Sequence, residues 1–215
     1  MSCALCEARK EKRFCPAVHG RICPQCCGEQ REVTLECPTD CEYLRQARQH
    51  ERPRPMETLD RDSLFPAVDI EESFLYQHED LLLGLRFALT KSARENRVLL
   101  DTDLIAALTA LGKTYQTLAQ SGLHYEAAAP SPAQQAVVEE MKKLLDEFRV
   151  LEQQHRGQSL LRDADVLRGI VFLTRMAHGR TNGRPKSRAY VDFLFQQFPE
   201  KTETSTETGS RIIVP

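Results

Sequence analysis

All eight cysteines of this 215-residue chain lie within its first 41 positions, and seven of them, with one histidine, fall into four close pairs: Cys3/Cys6, Cys15/His19, Cys23/Cys26 and Cys37/Cys41. Two or three residues separate the members of each pair, the spacing at which a short turn aims two soft ligands at one tetrahedral ion. Four pairs predict two complete four-ligand zinc sites. The same stretch is poor in large apolar side chains, Leu5, Phe14, Val18, Ile22, Val33, Leu35, Tyr43 and Leu44 being most of them. So few cannot order a segment of this length by burial alone. A structural zinc site contributes roughly 10 to 16 kcal/mol of apparent binding energy to folding, and metal is expected to replace the missing core.

Spacing does not fix which pairs share an ion. An interleaved cross-brace closes both long intervals, with Cys3, Cys6, Cys23 and Cys26 on one zinc and Cys15, His19, Cys37 and Cys41 on the other. Two alternatives stay open: Cys27 in place of Cys26, and Cys27 or His50 in place of His19. Over residues 3–50 this ligand order resembles the MYND, HIT and B-box modules. That resemblance implies two interleaved zincs and a role in protein contacts. The chain departs from those patterns in two respects: His19 holds a position often filled by cysteine, and the late histidine of MYND and HIT modules is missing unless His50 serves. The segments Cys26-Cys27-Gly28 and Cys37-Pro38-Thr39-Asp40-Cys41-Glu42-Tyr43-Leu44 are also similar to the head of some uncharacterised bacterial proteins, which implies no function. With every ligand supplied by protein, no position is left for a zinc-bound water, so the metal is expected to be structural. Cys23-Pro24-Gln25-Cys26 lacks the strand and helix context of a redox dithiol.

The amino terminus is polar and charged, and no apolar run approaches membrane-spanning length, which predicts a cytoplasmic protein with no membrane partner. In a reducing compartment paired thiols read as metal ligands before they read as disulfides. Charge gives no global attraction to nucleic acid: the chain has 29 basic against 31 acidic residues, and residues 1–55 have ten against eight. Two basic segments remain as candidates for phosphate contact. One is Arg9, Lys10, Lys12 and Arg13. The other is the loop 179–188, whose Gly183-Arg184-Pro185-Lys186 resembles the core of the AT-hook without its preceding arginine. A simple inter-helix connection is the competing reading of that loop.

Beyond the cysteines, composition predicts a module at 1–50, a proline-containing linker at 51–68, an all-helical domain at 69–199 and a disordered tail at 200–215. One helical stripe runs through Phe74, His78, Leu81, Leu82, Leu85 and Leu89, and a second through Leu104, Leu108, Leu111, Tyr115 and Leu118 after a cap at Asp101 or Thr102. Ser131-Pro132 opens a third, through Val137, Met141, Leu144, Phe148 and Leu151 to Gly157. Asp163 and Ser187 are candidate caps for a fourth and a fifth. The fold class expected is mainly α: a small cross-brace zinc module followed by an antiparallel bundle of about five helices. Glu152 and His155 have di-iron spacing, but one such pair is too few, and His78 reads as a hydrogen-bonded core histidine. No catalytic set is visible. The expectation is a non-enzymatic adaptor that binds another protein or a second copy of itself, with contacts at Arg9–Arg13, Arg21 and Arg31–Leu35. A nucleic-acid regulator using 9–13 and 180–188 and an enzyme with its site in the bundle are the alternatives.

Overall fold

A computed structural model describes residues 1–51, 59–123 and 125–200. Its first part is a small β and cysteine-rich module, and the rest is a helical bundle, as the composition predicts. The module begins with a hairpin, β1 (Arg13–Cys15) and β2 (Gly20–Ile22), in antiparallel register with Phe14 opposite Arg21. A 3-10 turn at Pro16–Val18 joins the strands and ends on His19 in the left-handed region. Helix α1 (Pro24–Gln30) follows, its proline in the first turn where the missing N–H has no helical partner to lose. Helix α2 (Glu42–His50) closes the module. The buried set of the module is mostly sulfur: Cys3, Cys15, Cys23, Cys26 and Cys27, with Ile22 and Leu35.

The bundle comprises α3 (Arg61–Leu64), α4 (Glu72–Gln77), α5 (Glu79–Glu95), α6 (Asp101–Ser121), α7 (Pro132–Arg156), α8 (Asp163–Arg180) and α9 (Ala189–Gln197). Helix α6 packs on α7 and α8, and α5 packs on α7, α8 and α9, around a continuous core that includes Leu81, Leu85, Leu104, Leu108, Met141, Leu145, Ile170 and Tyr190. Local signals explain several ends. Ser131 accepts the Gln134 N–H at 3.3 Å to cap α7, and Gly157 closes that helix at φ 75°. The stripe expected as one helix from Phe74 onward is broken at His78, which leaves helical geometry and sets its ring 4.6 Å from that of Phe74 at a tilt of 36°.

The stretch 59–68, expected as linker, packs into the bundle instead. Phe65 is buried against Gly112 of α6, where a Cβ would lie 2.7 Å from the ring, so glycine is required for that approach. Arg175 then donates to the carbonyls of Leu64, Phe65 and Val68, which satisfies the turn that follows α3. The physical reason is one large aromatic residue with a matching hole, which composition does not register. The remainder of the expected linker, 52–58, and of the expected tail, 201–215, lies outside the described residues.

The start of α9 is capped from afar. Ser187, the expected cap, accepts the Ala189 N–H at 3.4 Å and donates its hydroxyl to Asp101 Oδ2 at 2.8 Å, while Asp101 Oδ1 accepts the N–H groups of Tyr190 and Val191 at 3.0 and 3.2 Å. Burial pushes the Asp101 carboxyl above the ordinary carboxylate range, although these hydrogen bonds oppose the shift. A carboxyl whose folded pKa is raised contributes most below its unfolded pKa, and that contribution is lost as pH rises through the folded value. Asp101→Asn keeps an acceptor for the cap and removes the ionisation. Its stability curve is expected to be flatter than wild type across mildly acidic pH and to lie within about 1 kcal/mol of it at neutrality, whereas Asp101→Ala costs about 2 kcal/mol or more. Urea unfolding of the three proteins at a series of pH values measures this.

Candidate metal centre

Four thiols converge at the front of the module. Residues 3–10 form a turn closed by Cys3 N–H to Arg9 carbonyl and Glu7 N–H to Cys3 carbonyl, both 2.8 Å, with Glu7 left-handed at φ 56°. The Ala4 N–H donates to the Arg21 carbonyl at 2.9 Å, which stitches this turn to β2. Strand β2 then delivers Cys23 to the N-cap of α1 and Cys26 to its first turn. The backbone N–H of Cys23 donates to the Cys3 sulfur at 3.2 Å, and that of Cys26 to the Cys23 sulfur at 3.4 Å. All four sulfurs, of Cys3, Cys6, Cys23 and Cys26, lie within 4.8 Å of one another.

Zinc–sulfur bonds of about 2.3 Å in a tetrahedron place sulfurs about 3.8 Å apart, so the observed group needs only a small contraction to hold one ion. Three of the thiols are buried and Cys6 is half-buried. Ionisation is divided unequally among them. Burial raises Cys3, but the N–H groups of Cys23, Cys6 and Leu5 outweigh it and hold the thiol at about 6. Cys26 is pushed up to about 12, first by its hydrogen bond with Cys23 and then by burial and by Cys6 and Cys3. Thiols this close resist ionising together, and a divalent cation is the partner that relieves the repulsion.

The expectation of two zinc ions is corrected here. Among the described residues one group of donors converges, and Cys15, His19, Cys37 and Cys41 form no second one. His19 is exposed at the end of the 3-10 turn. Burial pushes the Cys37 thiol up. Its segment is held by contacts to the bundle, described below, and those contacts set its path. With one site, the interleaved arrangement of MYND, HIT and B-box modules is not reproduced. The open alternatives resolve geometrically: Cys26 belongs to the group and Cys27 does not. The Cys27 sulfur instead accepts from Arg13 and Arg31 at 3.8 and 3.6 Å. His50 is exposed at the end of α2.

The basic loop singled out as a phosphate-binding candidate lies between module and bundle. Arg184 donates to the carbonyls of Gly28 and Arg31 at 3.2 and 2.5 Å, at the C-terminal end of α1. The Lys186 N–H donates to the Glu32 carbonyl at 2.8 Å, and its ammonium reaches the Thr34 carbonyl and Glu36. Glu32 is 1% exposed and left-handed at φ 52°, with its carboxylate bound by Arg48 at 2.8 Å and Asn182 at 2.7 Å. Arg48 continues to Asp192 of α9 at 2.5 Å, which also accepts from Thr39 at 3.0 Å. Guanidinium groups suit carbonyl-rich helix ends, where the macrodipole favours positive charge. Nothing in the spacing of the loop distinguished this use from phosphate binding.

Other candidates are accounted for locally. Glu152 accepts from Ser159 and from the N–H groups of Leu160 and Leu161, so it orders the turn after α7, and His155 is exposed. A feature that sequence reasoning missed is a cleft of about 690 Å³ lined by α3, α6 and α8 residues together with Tyr125 and Ala127. At its floor the Ser63 hydroxyl lies 2.9 Å from His178 Nε2 and donates to the Asp60 carbonyl at 2.8 Å. The pair ties α3 to α8. Among the described residues no helix is long and apolar enough to cross a membrane. No family model, curated protein or solved structure matches this chain.

Proposed function

We propose that the chain is a non-enzymatic adaptor in which one structural zinc, held by Cys3, Cys6, Cys23 and Cys26, orders a module that presents the β1–β2 hairpin to a protein partner. The observation that carries the reading is the convergence of four sulfurs in a module otherwise short of core. All four ligand positions are thiols, which suits a closed structural site rather than one that activates water. On the hairpin, Phe14 is 55% exposed and pairs with exposed Arg21, while Lys10 and Lys12 are exposed alongside. An exposed aromatic residue flanked by cations fits a partner surface with an apolar pocket and acidic rim. Arg31–Leu35, expected among the contacts, is used against the bundle instead.

Elemental analysis of the purified full chain is expected to give one zinc per polypeptide. A Phe14→Ser, Arg21→Glu variant is expected to keep that zinc and the far-ultraviolet circular dichroism of the parent, and to lose the proteins that the parent recovers by cross-linking in its own cells. Equal recovery by both chains would sink the adaptor reading; absence of zinc would sink the metal reading. The nucleic-acid reading loses support because Arg184 and Lys186 are engaged within the chain.

A further inference from the structure

We infer that the loop 181–188 is a relay through which metal at the four thiols controls the order of the N-terminal end of α9. This rests on the zinc reading above and adds a regulated element on the opposite side of the junction.

Helix α1 has seven residues, well below the roughly 12 to 15 at which an isolated helix becomes even marginal in water. Its order therefore depends on what fixes its first turn, and that turn contains Cys23 and Cys26. Two residues beyond Cys26, the Gly28 carbonyl is the first acceptor for Arg184, and the Arg31 carbonyl is the second. After α1 the chain turns tightly, with the N–H groups of Val33, Thr34 and Leu35 all directed at the Gln30 carbonyl at 3.1 to 3.2 Å. That turn sets Glu32, which holds Asn182 through its carboxylate and Lys186 through its carbonyl.

Both faces of the loop are thus occupied. On the module side it is held by α1 and the turn after it. On the bundle side Ser187 bonds the buried Asp101, whose other oxygen caps α9, and the Ser187 carbonyl accepts the Asp101 N–H at 3.0 Å. Melting α1 removes the Arg184 acceptors and the Glu32 geometry together. The loop then keeps its Asp101 contacts and the bonds of Asn182 to Glu51 and of Arg188 to the Arg97 carbonyl, but nothing from α1 holds it, and the α9 cap opens more often. The long helix α7 makes none of these contacts, so it stays protected.

Hydrogen exchange on the full chain tests this, with zinc-loaded protein compared against protein treated with a chelator and zinc content measured on both. Amides of 182–193 are expected to exchange about tenfold faster or more after zinc removal, with α7 amides unchanged. Arg184→Ala is expected to retain one zinc, to exchange rapidly at 182–193 in both states and so to lose the metal dependence. Lys186→Ala carries the same test where Arg184→Ala does not fold. Zinc that comes and goes without altering 182–193 overturns the relay, as does equal loss of protection across α7 or an Arg184→Ala chain that keeps its metal dependence. A chain without zinc overturns the metal reading itself, and the elemental assay separates that outcome from the others.

Discussion

Cys23→Ser in the full chain is expected to abolish zinc retention and to unfold most of residues 1–41, while the bundle keeps its helical signal. Cys23 contributes three things at once: its sulfur is one of the four ligands, it accepts the Cys26 N–H, and its own N–H donates to Cys3. A serine oxygen is a poor replacement for a thiolate on zinc, and three ligands do not close a structural tetrahedron. The energy at stake is large relative to what the module otherwise has. A structural zinc contributes roughly 10 to 16 kcal/mol of apparent folding energy, whereas the buried non-sulfur apolar residues of the module among those described are Ile22, Leu35 and Leu44, each contributing about 2 kcal/mol. The bundle has its own core of more than twenty buried residues and does not depend on sulfur. The expected record is therefore a chain with loss of zinc, loss of exchange protection over 1–41 and a nearly unchanged far-ultraviolet spectrum. A variant that retained one zinc with a protected amino terminus would refute the proposed ligand set.

How far the sequence announced this structure follows from whether each signal is local. Helix α7 was legible because everything that starts and stops it is contained in the helix and its flanks: Ser131, Pro132, a 3.6-residue stripe and Gly157. The thiol group was legible for a related reason, since each pair is a short-range motif, but which pairs join depends on the path between them. The second expected site failed on that path. Between Cys26 and Cys37 the chain is steered by Arg184 and Lys186, 150 or more residues away in sequence, and no spacing rule contains that information. The α9 cap shows the same limit, because Asp101 lies 89 residues before Tyr190. Similarly, the cationic loop 179–188 had the composition of an anion-binding segment, and its acceptors proved to be carbonyls and carboxylates of its own chain.

Arg48→Ala is expected to cost about 3 to 5 kcal/mol, the largest effect of any substitution outside the metal ligands. Arg48 binds two carboxylates at once, Glu32 at 2.8 Å and Asp192 at 2.5 Å, and these are 1% and 4% exposed. Removing the guanidinium leaves two buried negative charges facing each other across the vacated space. Asn182 still donates to Glu32 and Thr39 to Asp192, but neither carries charge. An exposed pair such as Lys143 and Glu147, by contrast, is expected to contribute at most about 1 kcal/mol, because water screens it. The sign of the argument is checked by removing all three charges together: Arg48→Met, Glu32→Gln, Asp192→Asn leaves no unpaired ion and is expected to recover most of the loss. Urea unfolding of the single and triple variants with zinc held constant measures both terms. A single variant within about 1 kcal/mol of wild type would mean that water reaches the carboxylates and that the junction is not the electrostatic clasp its geometry describes.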